Sequence, residues 1–152
     1  MHPTPDDTGT ADASRGTADA SRGQAALRAA GLRPTRQRVA LARLLFRAGD
    51  RHVSAEGLHE EAARAGVDVS LATVYNTLHQ FREAGLVKAV SIDSDRTWFD
   101  TNTSEHHHFF VEDENLVWDV PLSHITVTDL PEAPQGTRIE RVDVIVRLKR
   151  VG

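Results

Sequence analysis

The spacing of apolar positions from Gln24 onward predicts four helices in succession. "QAALRAAGL" reads as a short helix stopped by Gly31. "RPTRQRVALARLLFRAG" starts a second near Pro34 and Thr35; Val39, Leu41, Leu44 and Leu45 or Phe46 form its inward stripe, and Gly49 ends it. Ser54 is placed to cap a third helix, "AEGLHEEAARAG", with Leu58, Ala62 and Ala65 inward and Gly66 at its end. In "VSLATVYNTLHQFREAGL", Ser70 caps a fourth. Leu71, Val74, Leu78 and Phe81 make one apolar face, while Thr73, Asn76, Thr77 and Gln80 occupy the other, Tyr75 lies at the border and Gly85 closes the helix.

The period then changes. "LVKAV", the turn "SIDSDR" and "TWFDT" predict a hairpin of two short strands. Helices followed by such a hairpin are the order of a winged helix-turn-helix. Beyond Asp100, "HHHFFV", "LVWDV" and "RIERVDVIVRLK" are rich in valine, isoleucine and aromatics and predict further strands, with "LPEAPQGT" a loop and a short helix around Pro121 to Leu130. The expected class is α+β. The expected organisation is a disordered tail over 1–23, a winged-helix domain over 24–100 and a small second domain over 101–152. The tail repeats "GTADASR" in tandem from Gly9 to Arg22 and carries too little apolar surface to offset the entropy of ordering.

Charge sharpens this division. Residues 24–90 hold ten Lys/Arg against six Asp/Glu, and residues 91–152 hold six against twelve, beneath a net charge of −4. A basic first half joined to an acidic second half suggests that one part meets a polyanion. The 152 residues contain no cysteine, which excludes disulfides, thiolate-bound zinc and thiol catalysis. No apolar run is long enough to span a membrane, no secretory signal is evident, and the expected compartment is the cytosol.

Two groups of residues could carry chemistry. Thr73, Tyr75, Asn76, Thr77 and Gln80 offer a helix face of donors, acceptors and methyl groups suited to base edges in a major groove. Arginines off the second helix's apolar stripe, Arg36 and Arg38 among them, suit phosphate. The second group is the triplet in "TSEHHHFFVEDEN". Residues two apart in a strand share a side, so His106 and His108 converge while His107 points away. Another imidazole and a carboxylate would complete a nitrogen–oxygen site for iron, manganese or zinc. His52, before the third helix, and Asp100, ending the wing, stand at the required junctions, and a site drawing on both domains would fix their angle. Trp98, Phe109, Phe110 and Trp118 supply aromatic surface of the kind a haem needs. A helical His-Glu-x-x-His, a Gly-rich phosphate loop and a nucleophile elbow are all missing, so the chain is not expected to be an enzyme.

"RPTRQRVAL", "RHVSAEGLHEEA", "VSLATVYNTLHQFREAGLV" and "FDTNTSEHHHFF" together resemble the ferric uptake regulator (Fur) family, from about Gly31 to Arg150. The "FDTN" and "HHHFF" runs look most like its haem-responsive branch, the iron response regulators (Irr). The resemblance implies a homodimeric repressor of iron homeostasis with a C-terminal α/β dimerisation domain, bound to a two-fold site on double-stranded DNA. It implies DNA contacts from Tyr75 and Asn76. It implies a divalent-metal site, for Fe2+, Mn2+ or Zn2+, at His52, Asp100, His106 and His108 with Asp119 as a fifth group. A second, auxiliary metal site would use Glu105, His107 and His124, and haem would bind at His106, His107 and His108. Paired cysteines that hold a structural zinc in many relatives fall on Val111 and Glu114 here, so that zinc is not expected. The rival expectation is a metal- or haem-buffering protein that never meets DNA.

Overall fold

The computed structural model describes residues 23–47, 49–92 and 96–152. The expectation of a disordered tail therefore lies outside the described residues but for Gly23, and so does the middle of the predicted "SIDSDR" turn. The chain divides into two compact units, 1–103 and 104–152.

In the first unit, residues 23–29 are helical (α1), and Gly31 closes that helix with a φ of +78°. Helices α2 (Arg36–Phe46), α3 (Ala55–Arg64) and α4 (Leu71–Glu83) follow. Each starts on a hydroxyl cap: Thr35, Ser54 and Ser70 accept from the backbone N–H of Arg38, Gly57 and Thr73. The core is Leu27, Leu41, Leu45, Leu58, Val74, Leu78, Phe81, Val87 and Phe99 with smaller neighbours.

Three local expectations change. Ala65 is the C-cap of α3, just past its last helical residue Arg64, and is exposed. Leu71 is exposed at the first turn of α4. The inward row of that helix is Val74, Thr77, Leu78 and Phe81, and Thr77 is only 5% exposed. A threonine serves there because its hydroxyl donates to the Thr73 carbonyl at 2.7 Å, which satisfies the polar group inside the helix.

The wing is a three-stranded antiparallel sheet, β1 (His52–Ser54), β2 (Lys88–Ser91) and β3 (Thr97–Asp100), in the order β1-β3-β2. The hairpin was expected; β1 was not. Register follows from burial. Val53 and Phe99 are paired and buried in the core, so their strand neighbours project from the opposite face, where His52 stands directly across from Asp100.

The second unit is a sheet of β4 (His107–Val111), β5 (Leu116–Val120) and β6 (Ile145–Leu148), in the order β5-β4-β6. The β4–β5 pair is an antiparallel hairpin whose turn uses Asn115 at φ 51°, and β6 runs parallel to β4. Of the predicted strand "RIERVDVIVRLK", only Ile145–Leu148 pairs. The helix expected around Pro121 to Leu130 reduces to one 3-10 turn, Leu122–His124. Ile125, Thr126, Val127 and Thr128 are all β-branched, and Pro131 and Pro134 follow, which together oppose helix extension.

Candidate metal centre and nucleic-acid face

His52 and Asp100 form a buried pair in the first unit, Nε2 to Oδ2 at 3.0 Å, with the Asp100 side chain 1% exposed. The pair is braced on both sides. Asn102 donates its backbone N–H to Asp100 Oδ1 at 2.9 Å. Arg51 donates its backbone N–H to the Thr101 hydroxyl at 2.8 Å, and the Thr101 N–H donates to the Arg51 carbonyl at 3.0 Å. Adjacent ligands on an ion with bonds of about 2.1 Å sit about 3 Å apart, so the spacing of this pair fits a metal.

In the second unit, the β4–β5 register sets His108 directly opposite Asp119, on the same face of the sheet. His106, two residues before His108, reaches that face from just ahead of the strand. Its Nε2 lies 3.0 Å from Asp119 Oδ1, His108 Nε2 lies 4.0 Å from the same oxygen, and the two ring centroids are 4.5 Å apart. His106 Nδ1 is 2.7 Å from the Ser104 carbonyl. A carbonyl can only accept, so Nδ1 carries a proton. In the neutral ring Nε2 then presents a lone pair toward a carboxylate oxygen. Two acceptors at that distance repel unless a cation, proton or metal, lies between them. A backbone carbonyl on the far nitrogen is also the usual support of a metal-bound histidine. The donor set, imidazole with carboxylate and no sulfur, suits manganese, iron or zinc.

His107 behaves as the alternation predicts and faces the other way. It is buried, and its Nδ1 accepts from the Val144 N–H at 3.1 Å, tying β4 to the segment that enters β6. The three imidazoles of the triplet thus do not share one face. Glu105 and His124 are both exposed, and among the described residues they do not gather with His107 into a ligand group.

The residues expected to meet DNA are sorted by the fold. Arg36 and Asn76 are exposed. Thr73 is half-buried, and its hydroxyl accepts from Ser70 at 2.9 Å within the cap of α4. Thr77 is withdrawn from the exposed face by its burial. Arg38 donates Nε and Nη2 to Gln80 Oε1 at 3.1 and 2.9 Å and Nη1 to the Arg33 carbonyl at 2.9 Å, a clamp between α2 and α4. The Tyr75 hydroxyl donates to Glu56 Oε1 at 2.7 Å. That bond holds the Glu56 carboxyl below the usual carboxylate range and, together with slight burial, raises the Tyr75 phenol. Glu56 was not singled out from the sequence. It lies 19 residues before Tyr75, and no local spacing signals the contact. His59, another residue outside the expected set, bonds through Nε2 to the Val69 carbonyl at 3.1 Å and pins the turn ahead of α4.

Comparison with known proteins bears on the chain's family. The ferric uptake regulation protein of Pseudomonas aeruginosa is 44% identical over 85 residues, covering 56% of this chain and 63% of that protein, so the match spans under two thirds of the relative. The peroxide-responsive repressor PerR of Staphylococcus aureus is 35% identical over 118 residues, 78% of this chain and 72% of that one. The solved structure of the P. aeruginosa ferric uptake regulator with manganese superposes with a TM-score of 0.64 at 30% identity, covering 84% of this chain and 97% of that one. The profile of the ferric uptake regulator family matches residues 29–146, and the chain belongs to that family.

Proposed function

We propose that this protein is a sequence-specific DNA-binding transcriptional regulator of metal homeostasis, a repressor that works as a homodimer in the cytoplasm and responds to a divalent metal. The observation that carries the metal part is the grouping of imidazole and carboxylate: His106 Nε2 lies 3.0 Å from Asp119 Oδ1, with the His108 ring beside it and the Ser104 carbonyl on the far His106 nitrogen. His52, Asp100, His106, His108 and Asp119 would hold the ion, Mn2+, Fe2+ or Zn2+, which would supply fixed positive charge among three imidazoles and two carboxylates. No structural zinc on cysteine is part of the proposal, since the chain has none.

On DNA, α4 is the reading element. Asn76 addresses base edges, the Tyr75 hydroxyl and Arg36 address phosphate, and Thr73 and Arg38 hold the helix start and the α2–α4 packing that aim them. The dimer reading is supported by large apolar side chains left exposed on the second unit, among them Leu116, Trp118, Leu122, Leu130 and Ile139, a surface that a second copy would cover. A two-fold DNA site follows from such a dimer. The finer reading, that iron supply is sensed as haem in the manner of the Irr branch, is supported by the sequence resemblance and by the close His106 and His108 rings. His107 joins that reading only if strand β4 loosens, and Glu105, His107 and His124 are a second metal site only on the same condition.

The test is fluorescence anisotropy of duplexes selected from a random library, titrated with the full chain alone and with Mn2+, Fe2+, Zn2+ or haemin. The expected result is binding that weakens at least tenfold between about 50 and 200 mM salt, because phosphate contacts release counterions. A divalent ion should tighten it, and His106→Ala with His108→Ala should remove that response while leaving weak binding. Metal or haem uptake without any duplex binding would favour the buffering protein instead and overturn the regulator.

A further inference from the structure

The corner between α3 and α4 holds an anionic acceptor against a hydroxyl that the preceding proposal directs at DNA. Tyr75 reaches across from α4, and its O–H donates to Glu56 Oε1 at 2.7 Å. Glu56 is exposed and Tyr75 half-buried, so the contact lies at the surface rather than in the core. The wing adds a cation: Arg96, whose guanidinium carbon lies 5.7 Å from the centre of the Trp98 ring, is near enough for its charge to help hold Glu56 ionised. One carboxylate is thus satisfied by a phenolic O–H and by the field of an arginine. A backbone phosphate recruits donors of these two kinds, with the same negative charge and the same acceptor oxygens.

We propose that Glu56 is an internal stand-in for a DNA phosphate, a brake that competes with any duplex for the Tyr75 hydroxyl. The proposal rests on the DNA-binding reading above. In the DNA-free chain the carboxylate takes the hydroxyl. When a duplex arrives, Glu56 must surrender that bond and stand as a like charge beside the phosphates. Like charge at an interface suppresses unwanted partners at the cost of some affinity for the right one. A duplex that adds base-edge contacts through Asn76 can outweigh the brake, and one bound through phosphates alone cannot do so as readily. Structural support of α4 is a separate matter: the helix is held by the Ser70 cap, the Arg38–Gln80 clamp and the His59–Val69 bond, none of which involves Glu56.

The experiment uses the full chain with Mn2+ and a random-sequence duplex of about 30 base pairs, read by anisotropy at fixed salt. Four proteins are compared: wild type, Glu56→Gln, Tyr75→Phe and the double variant. Glutamine keeps the shape and an acceptor oxygen but loses the charge, so its fold is preserved, and thermal melting verifies this for all four. Glu56→Gln should bind the random duplex about three- to tenfold more tightly, because it weakens the hold on the Tyr75 hydroxyl and also removes a like charge near the phosphates. In the Tyr75→Phe background the same change should tighten binding by less than half that factor, since no hydroxyl remains to compete for. Equal affinity of wild type and Glu56→Gln overturns the brake, and so does a gain undiminished on Tyr75→Phe. If the wild-type chain shows no salt-dependent duplex binding at all, the DNA reading fails and the brake with it. Normal wild-type binding with no effect of Glu56→Gln sinks the brake alone.

Discussion

Arg38 and Thr77 show how a polar side chain of DNA-binding type can be claimed by the fold. Arg38 lies off the apolar stripe of α2, whereas Thr77, three residues after Val74 and four before Phe81, lies beside that of α4. The Arg38 guanidinium is committed to Gln80 and the Arg33 carbonyl, and the Thr77 hydroxyl to its own helix. Tyr75 and Glu56 add a testable pH dependence. The folded Glu56 carboxyl lies below its ordinary 4.5, so its contribution to stability is complete above that value and is lost as pH falls through the folded one. The folded Tyr75 phenol lies above its ordinary 10.0, so its contribution is complete below 10.0 and is lost as pH rises through the folded value. The gap in unfolding midpoint between wild type and Tyr75→Phe should therefore be widest in the neutral range and close toward both extremes. A gap independent of pH would show that the hydroxyl–carboxylate bond is not formed in solution.

At the scale of elements, the helices of the first unit were legible, while the helix expected around Pro121 to Leu130 and the strand partners were not. Caps at Thr35, Ser54 and Ser70 and the glycine stops at Gly31, Gly66 and Gly85 act within one turn of the chain, and each lies where the sequence placed it. Strand β1 is three residues long and carries no period, so its presence depends wholly on pairing with the distant β3, as His52 does with Asp100. Strand β6 is likewise cut to the residues that find β4. The capping argument predicts that Ser70→Ala lowers stability by about 1 kcal/mol. Hydrogen exchange should show faster opening of the Thr73 amide, which donates to the Ser70 hydroxyl, with the β4–β5 ladder unaffected. Unchanged protection at Thr73 would mean that the cap does not set the start of α4.

For the whole molecule, the proposed metal binding would be a stability term as well as a signal. An ion that binds the folded chain alone stabilises it by about 2.7 kcal/mol at a hundred times its dissociation constant. Mn2+ should accordingly raise the melting temperature of the wild-type chain, and the rise, taken for each protein against its own metal-free melting, should be largely lost in His108→Ala. An equal rise in both would place the ion elsewhere. The sequence by itself determined the four helices and their ends, the wing hairpin, the opposed directions of His107 and its two neighbours, and the absence of thiolate chemistry, because each depends on sterics or hydrogen bonds within a few residues. Only the tertiary structure decided that Asp100 stands across from His52, that Asp119 stands across from His108 and that Glu56 takes the Tyr75 hydroxyl. Those outcomes join segments distant in the chain, and their register is set by which apolar side chains the core must bury, a condition that no local spacing contains.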